Sequence, residues 1–169
     1  MVIEPEMAFG TGEHQTTRGV VRLLPSAIRA RDRVADLGAG SAVLAIAAAK
    51  LGAAHVTAIE LDHDAIANAE ENVARNGVAD RVTVLEGDAE LLLPFVAPVR
   101  VVLANIISSV LVSLLPTIGA SLAMDGEAIL SGILVEERAS MLAVLDTNGW
   151  VLRAEDVEGT WWSARIARR

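Results

Sequence analysis

Val34-Ala-Asp-Leu-Gly-Ala-Gly-Ser-Ala-Val-Leu-Ala-Ile-Ala-Ala-Ala-Lys50 is the stretch whose reading decides the fold. It starts as a short apolar strand ending at Asp36, turns through Gly38 and Gly40, and opens at Ser41 into an apolar helix. Glycines suit such a turn because the backbone must bend sharply and a ligand must approach it without meeting a Cβ. Ser41 is expected to cap the helix, whose first amides point outward and favour an anionic group. A strand, a Gly-x-Gly turn and a helix together predict a nucleotide-type site at the carboxyl edge of a parallel sheet.

The neighbours of the glycines narrow the nucleotide. The dinucleotide fingerprint is Gly-x-Gly-x-x-Gly, and here Val43 takes the sixth position, so that pattern fails. Asp36-Leu-Gly-Ala-Gly40 instead resembles motif I of the class I S-adenosylmethionine-dependent methyltransferases, with Ala42 where that motif usually carries a third glycine. A second acid is then expected about 20 residues on, at the end of the next strand, to hold ribose hydroxyls. Glu60, closing His55-Val-Thr-Ala-Ile-Glu60, stands 22 residues after Gly38. The competing reading is an ordinary glycine turn in an unrelated α/β protein, and Glu60 argues against it.

Composition bounds the rest. A chain of 169 residues with a 53% hydrophobic fraction is long enough for one domain with a sizeable core, and the alternation of strand and helix patterns favours α/β. The formal net charge of −8 repels phosphate backbones and argues against RNA or DNA as the main partner. Tyrosine is absent, and Phe9, Phe95 and three tryptophans are too few for a base-stacking platform. With no cysteine there are no disulfides, thiolate metal sites or Cys nucleophile in this sequence, which fits a cytoplasmic location. Met1 to Gly10 has neither a basic start nor an apolar core and does not read as a secretory signal. Val101 to Met124 carries no charge, but Asn105, serines and Pro116 interrupt it. It reads as strand, loop and buried helix rather than a membrane span, so the chain is expected to be soluble.

In chain order, Thr16 or Thr17 is expected to begin a helix that turns Val20, Val21, Leu23 and Leu24 inward and is limited by Pro25. The apolar helix after the glycine turn runs from Ser41 to Leu51. Asp62 or Asp64 caps the next helix, with Ile66, Ala69 and Val73 on one face, and Asn76-Gly77 stops it. His63 is expected to be exposed, and His55 to stand where its strand begins. Arg81 to Leu85 is the third strand, and Glu90 to Pro98 a connection with two prolines. Val99 to Ala104 is the fourth strand, delivering Asn105 to the same sheet edge as Gly38 and Glu60. Val110 to Leu122 is a helix, Met124-Asp-Gly126 a turn, Ala128 to Ser131 a strand and Glu136 to Leu145 an amphipathic helix ending at Asn148-Gly149. Trp150 to Ala154 and Trp161 to Ala167 read as a closing strand pair. No repeat, linker or metal-ligand spacing is evident.

The stretch before the first helix makes the resemblance specific. Ala8-Phe-Gly-Thr-Gly-Glu-His14-Gln-Thr-Thr17 is similar to the Phe-Gly-Thr-Gly-x-His-x-Thr-Thr signature of the ribosomal protein L11 methyltransferase family. The similarity continues through Leu44-Ala-Ile-Ala-Ala, Asn72 to Val78, Ala104-Asn105-Ile106 and Leu130-Ser-Gly-Ile-Leu134, nearly the whole chain. It implies a Rossmann-like class I methyltransferase fold over residues 1–169: a mostly parallel sheet, an antiparallel closing pair and helices on both faces. It also implies S-adenosyl-L-methionine as cofactor and methyl transfer to lysine side chains and an N-terminal amine of a ribosomal protein. That family places a recognition domain ahead of the catalytic one, and this sequence begins almost at the catalytic signature, so the recognition domain is expected to be absent.

By the same resemblance Thr17, Gly38, Glu60 and Asn105 contact the cofactor, while Gly40 and Asp36 enter from the turn itself. Asp88 is either the acceptor for an adenine amino group, as an acid at this place is in class I methyltransferases generally, or a plain turn residue. Asn105 carries two donors and an acceptor and can both orient an amine and hold the methionine part of the cofactor. His14 is the one histidine placed to assist. The Ala8–Thr17 loop reads as a lid over the site or as an N-terminal arm. Trp161 and Trp162 either wall a lysine channel or pack in the core, alternation putting one ring on each face. Two rivals remain: a methyltransferase for a small amine, and a cofactor-binding module without catalysis.

Overall fold

Alternate residues of a strand point to opposite sides of a sheet, so a strand buried on both faces reads as a continuous apolar run. The computed structural model, which describes residues 14–169, shows that such runs form a single sheet. Its strands are β1 (Arg33–Leu37), β2 (His55–Glu60), β3 (Val82–Glu86), β4 (Val99–Asn105), β5 (Leu122–Leu134), β6 (Trp150–Glu158) and β7 (Trp161–Arg168). The helices are α1 (Gln15–Ala27), α2 (Val43–Lys50), α3 (His63–Arg75), α4 (Ala89–Val96), α5 (Ser108–Ser121) and α6 (Arg138–Thr147).

The sheet order is β3-β2-β1-β4-β5-β7-β6, with β1 to β5 parallel and β7 antiparallel to both β5 and β6. This is the expected fold class. Val34, Val56, Ala58, Val101, Leu103 and Ile129 bury one face against α1, α2 and α3. Ala35, Leu37, Ile59, Val102, Ala104 and Leu130 bury the other against α4, α5 and α6. The chain winds from β1 outward to β3, then returns to place β4 on the other side of β1. The carboxyl ends of β1 and β4 therefore flank a topological switch point, where a crevice opens in such sheets.

Several boundaries differ from the expectations, each for a local reason. Helix α2 starts at Val43, and its cap position is Ala42, in the left-handed region at φ 61° with no side-chain cap bond. Ser41 is not the cap. The Asp36 carboxylate, nine residues back on β1, accepts from the Ala45 N–H at 2.9 Å and supplies what a capping serine would. Helix α1 begins at Gln15 behind His14, and it continues past Pro25 to Ala27 because a proline in the last turn removes only one ladder bond. Val20, Leu23 and Leu24 are buried, but Val21 is 36% exposed.

Residues 90–98 are not a plain connection. Asp88 accepts from the Glu90 N–H at 2.7 Å and caps α4, whose Leu93 is fully buried despite Pro94 within the helix. Strand β3 is shifted by one residue from Arg81–Leu85. Helix α5 starts at Ser108, and β5 runs unbroken through Met124-Asp125-Gly126, accommodating them by a shift in register against β4 between Val99 and Val101. A 3-10 turn, Val135–Glu137, precedes α6. Among the described residues no helix is long and apolar enough to cross a membrane.

Candidate functional site

At the switch point the loops after β1, β2 and β4 close on one another. Gly38 sits at φ +65°, and a Cβ there would come within 2.6 Å of Ile106 Cγ2 in the loop after β4. The Gly38 and Ala39 N–H groups both donate to the Ile59 carbonyl, at 2.9 and 3.1 Å, which fixes the turn against the end of β2. Glu60 stands one residue further along, and each of its carboxylate oxygens accepts one amide: Gly40 N–H at 2.7 Å and Asp62 N–H at 2.8 Å. An ionised carboxylate has about four acceptor positions, so two amide donors leave room for hydroxyl donors.

Two cavities lie along this edge. The first, about 380 Å³, is lined by Gly38, Glu60, Leu61, Asp88, Ile106 and Val110 among others. The second, about 410 Å³, is lined by His14, Thr16, Asn105, Ile107, Gly132 and Trp161. Ile106 and Val110 line both, so the two cavities are neighbours along this edge. The second is walled largely by carbon.

Asn105, the last residue of β4, directs its side-chain amide to the Thr17 hydroxyl at 3.4 Å, and its Oδ1 is buried without a protein partner. A buried amide oxygen left unpaired costs about 1–3 kcal/mol, which marks it as a place where a donor belongs. The first turn of α1 is held there by buried hydroxyls. Ser131 Oγ donates to the Thr16 carbonyl at 3.2 Å and lies 2.7 Å from Ser163 Oγ. Arg18 and Arg22 of α1 are also ion-paired to Glu158 and Asp156 of β6. His14 caps α1: its Nδ1 accepts from the Thr16 N–H at 3.4 Å and lies 2.8 Å from the Thr16 hydroxyl. Its ring meets Trp161 edge-on, with centroids 5.4 Å apart.

The expected site residues therefore fall into four groups. Gly38, Glu60 and Asp88 line the first cavity, and His14 and Asn105 the second. Gly40 and Thr17 act one step back, bonded to Glu60 and Asn105. Asp36 lines neither cavity. It is 1% exposed, its Oδ2 serves Ala45, and burial, reinforced by the nearby Glu60 charge, pushes its carboxyl up to about 7. Trp161 and Trp162 divide as alternation requires. Trp161 walls the second cavity, whereas Trp162 is fully buried and donates its Nε1–H to Glu155 at 2.8 Å. The part of the Ala8–Thr17 loop up to Glu13 lies outside the described residues.

Sequence reasoning did not single out Ile106, Ile107, Val110 or Gly132. The signal was adjacency: two of them follow Asn105 directly, and Gly132 lies in the Ser-Gly-Ile-Leu motif. A Cβ on Gly132, at φ +83°, would collide with the Ile106 carbonyl. Among the described residues no group of three or more His, Asp or Glu side chains is placed to hold a metal ion.

Comparison with known proteins agrees with this geometry. The model of the family described as Ribosomal protein L11 methyltransferase (PrmA) matches residues 1–169. The chain is similar to the ribosomal protein L11 methyltransferase of Synechococcus sp. strain RCC307, 38% identical over 170 residues, covering 99% of this chain and 56% of that protein. It is also similar to the crystal structure of the ribosomal protein L11 methylase from Lactobacillus delbrueckii subsp. bulgaricus, with a TM-score of 0.87 and 33% identity over 99% of this chain and 84% of that one. An RNA methyltransferase from Salinibacter ruber, solved in complex with S-adenosyl-L-homocysteine, gives a TM-score of 0.69 and 26% identity over 86% of this chain and 88% of that one. The chain spans about half the length of the curated relatives it matches. With a family match along its whole length, on the sheet order and crevice that its own residues build, the chain belongs to the ribosomal protein L11 methyltransferase family.

Proposed function

We propose that this chain is the catalytic domain of an S-adenosylmethionine-dependent N-methyltransferase whose acceptor is a lysine side chain or N-terminal amine of a large-subunit ribosomal protein of the L11 type. One observation carries the reading: a polar-edged cavity beside Gly38 and Glu60 shares Ile106 and Val110 with a carbon-walled cavity beside Asn105. A cofactor with a sugar at one end and a reactive methyl at the other fits that pair, and Asn105, whose Oδ1 is buried without a protein partner, lines the second of them. The bound cofactor would supply an electrophilic methyl on a positively charged sulfur, whose leaving group is neutral.

The chain's own residues have positioning work to do. Glu60 accepts from ribose hydroxyls while its amide bonds hold the turns around it in place. Gly38 brings backbone close to the ligand, and Asp88, with one oxygen capping α4, offers the other towards the base. Asn105 Oδ1 accepts an N–H of the incoming amine and aims the nitrogen lone pair at the methyl. A lysine amine has an ordinary pKa of about 10.4, and Ile106, Ile107, Val110 and Trp161 favour its neutral form by excluding water. With the methyl supplied by the bound cofactor, Asn105 and these walls would hold the neutral amine in line with it, and the proton left on the methylated nitrogen would go to solvent. His14 assists by holding the start of α1 and the Trp161 ring; its Nδ1 is already engaged by Thr16. Direct nucleic-acid binding is not part of this reading, given the net charge of −8, and a ribosomal-protein acceptor implies a cytoplasmic site of action.

Calorimetry with S-adenosylmethionine, S-adenosylhomocysteine and NAD tests the reading at its base. The two sulfur compounds are expected to bind and NAD is not. Binding of NAD in preference to both would overturn it.

A further inference from the structure

The turn Val135–Glu137 and the first residue of α6 bond to residues that adjoin both walls of the second cavity, without lining it themselves. Ser108, at the start of α5 and two residues past Ile106, donates its hydroxyl to Glu137 Oε1 at 2.5 Å, and the Leu134 N–H donates to Oε2 at 2.9 Å. The next wall is reached from the same turn. The Val135 N–H donates to the Thr160 carbonyl at 2.8 Å, one residue before Trp161, and Leu134 pairs with Trp161 in register. Arg138 then clasps Glu155 with two bonds at 2.8 and 2.9 Å, and Glu155 accepts from Trp162 Nε1–H. The Arg138 guanidinium lies 5.7 Å from the centroid of the Trp162 ring. One short segment thus ties the Ile106–Val110 wall to the Trp161 wall.

We propose that Glu137 is a positioning residue for the acceptor amine, the centre of a bracket that fixes the spacing between the two walls of the acceptor cavity. The proposal rests on the methyl-transfer reading above but concerns residues that touch neither cofactor nor amine. The Ser108 hydroxyl and the Leu134 amide hold the Glu137 carboxyl below its usual range, so both its bonds are charge-assisted at neutral pH. Reactant alignment is sensitive to displacements on the order of 1 Å, which cost up to about 100-fold in rate. A bracket that holds wall spacing therefore acts on the rate of transfer more than on cofactor affinity. The remaining contacts favour the same design: Gly132 is pressed against the Ile106 carbonyl, and the Ile106 N–H donates to the Ser131 carbonyl at 3.2 Å.

The test uses Ser108→Ala, Glu137→Ala and Glu137→Gln in protein labelled with 5-fluorotryptophan, with the Trp161 resonance assigned by Trp161→Phe. The alanine variants are expected to bind S-adenosylhomocysteine within about twofold of the parent while the Trp161 line broadens or shifts. Their kcat for methylation of the ribosomal protein is expected to fall roughly 10- to 100-fold, with a much smaller change in acceptor KM. Glu137→Gln, whose carboxamide oxygen still accepts from Ser108, is expected to recover part of the rate. A folded alanine variant with the parental Trp161 line and the parental kcat would overturn the proposal. If Glu137→Ala does not fold, Ser108→Ala decides by the same two readouts. If the parent methylates no amine, the methyl-transfer reading fails, and the Trp161 line alone judges the bracket.

Discussion

Replacing Asp36 by asparagine isolates the free-energy cost of a buried carboxylate beneath the glycine turn. The side chain is 1% exposed, one oxygen accepts from Ala45 N–H, and the other has no partner. Burial is the main cause that raises its carboxyl to about 7, Glu60 adds to it, and the Ala45 amide opposes it. The ordinary value is 3.8, so the difference corresponds to about 4 kcal/mol. The sign follows from the folded form binding the proton more tightly than the unfolded chain. This contribution is fully favourable below the unfolded value, is lost progressively as pH rises towards about 7, and changes no further above it. Asparagine keeps an oxygen for Ala45 but buries an unpartnered NH2, at a pH-independent cost of about 1–3 kcal/mol. The variant is therefore expected to be less stable than the parent near pH 4 and equal to it or more stable at pH 8. Urea unfolding followed by tryptophan fluorescence across that range measures the difference. A gap between parent and variant that stays constant with pH would refute the reasoning.

Other expectations follow from single contacts. Charge-assisted hydrogen bonds contribute about 1.5–3 kcal/mol, so Glu60→Ala should weaken S-adenosylhomocysteine binding roughly 10- to 150-fold by calorimetry, and unchanged affinity in a folded variant would remove Glu60 from the site. Gly132→Ala forces a Cβ against the Ile106 carbonyl at a positive φ, and should destabilise the fold by more than the roughly 1–2 kcal/mol of the backbone conformation alone, read as a lowered melting temperature. The relatives' sequence beyond the matched half is proposed to supply acceptor recognition. Fusing that half to this chain should raise kcat/KM on the ribosomal protein with little change in cofactor affinity, because tethering raises the effective concentration of the acceptor; equal kcat/KM with and without it would contradict that.

The parts of the fold legible in the sequence are those set by short-range pattern. Strand β2 ends at Glu60 as expected because its buried stretch, Val56 to Ile59, stops there and the Asp62 cap follows two residues on. Asn105 falls at the sheet edge for the same reason, at the end of an apolar run that burial makes continuous. Helix α4 was hidden by Pro94 and Pro98, since nothing local shows that Leu93 would be buried and Asp88 would cap. Ser41 looked like the cap of α2 because it is adjacent, and the acceptor that serves the helix is Asp36 on another element. Glu137 reaches Ser108 across 29 residues of chain. No periodicity carries such a contact; only the juxtaposition of β4 and β5 creates it.

The most direct test of the methyl-transfer reading is where a labelled methyl group goes. The chain is incubated with methyl-labelled S-adenosylmethionine and, in parallel, with purified ribosomal protein L11, with a set of small primary amines and with ribosomal RNA. Mass spectrometry then locates the label. The expected result is label on lysine side chains or the N-terminal amine of the ribosomal protein and none on RNA. Label confined to small amines or to RNA, or cofactor binding without transfer to any acceptor, would contradict the proposed function.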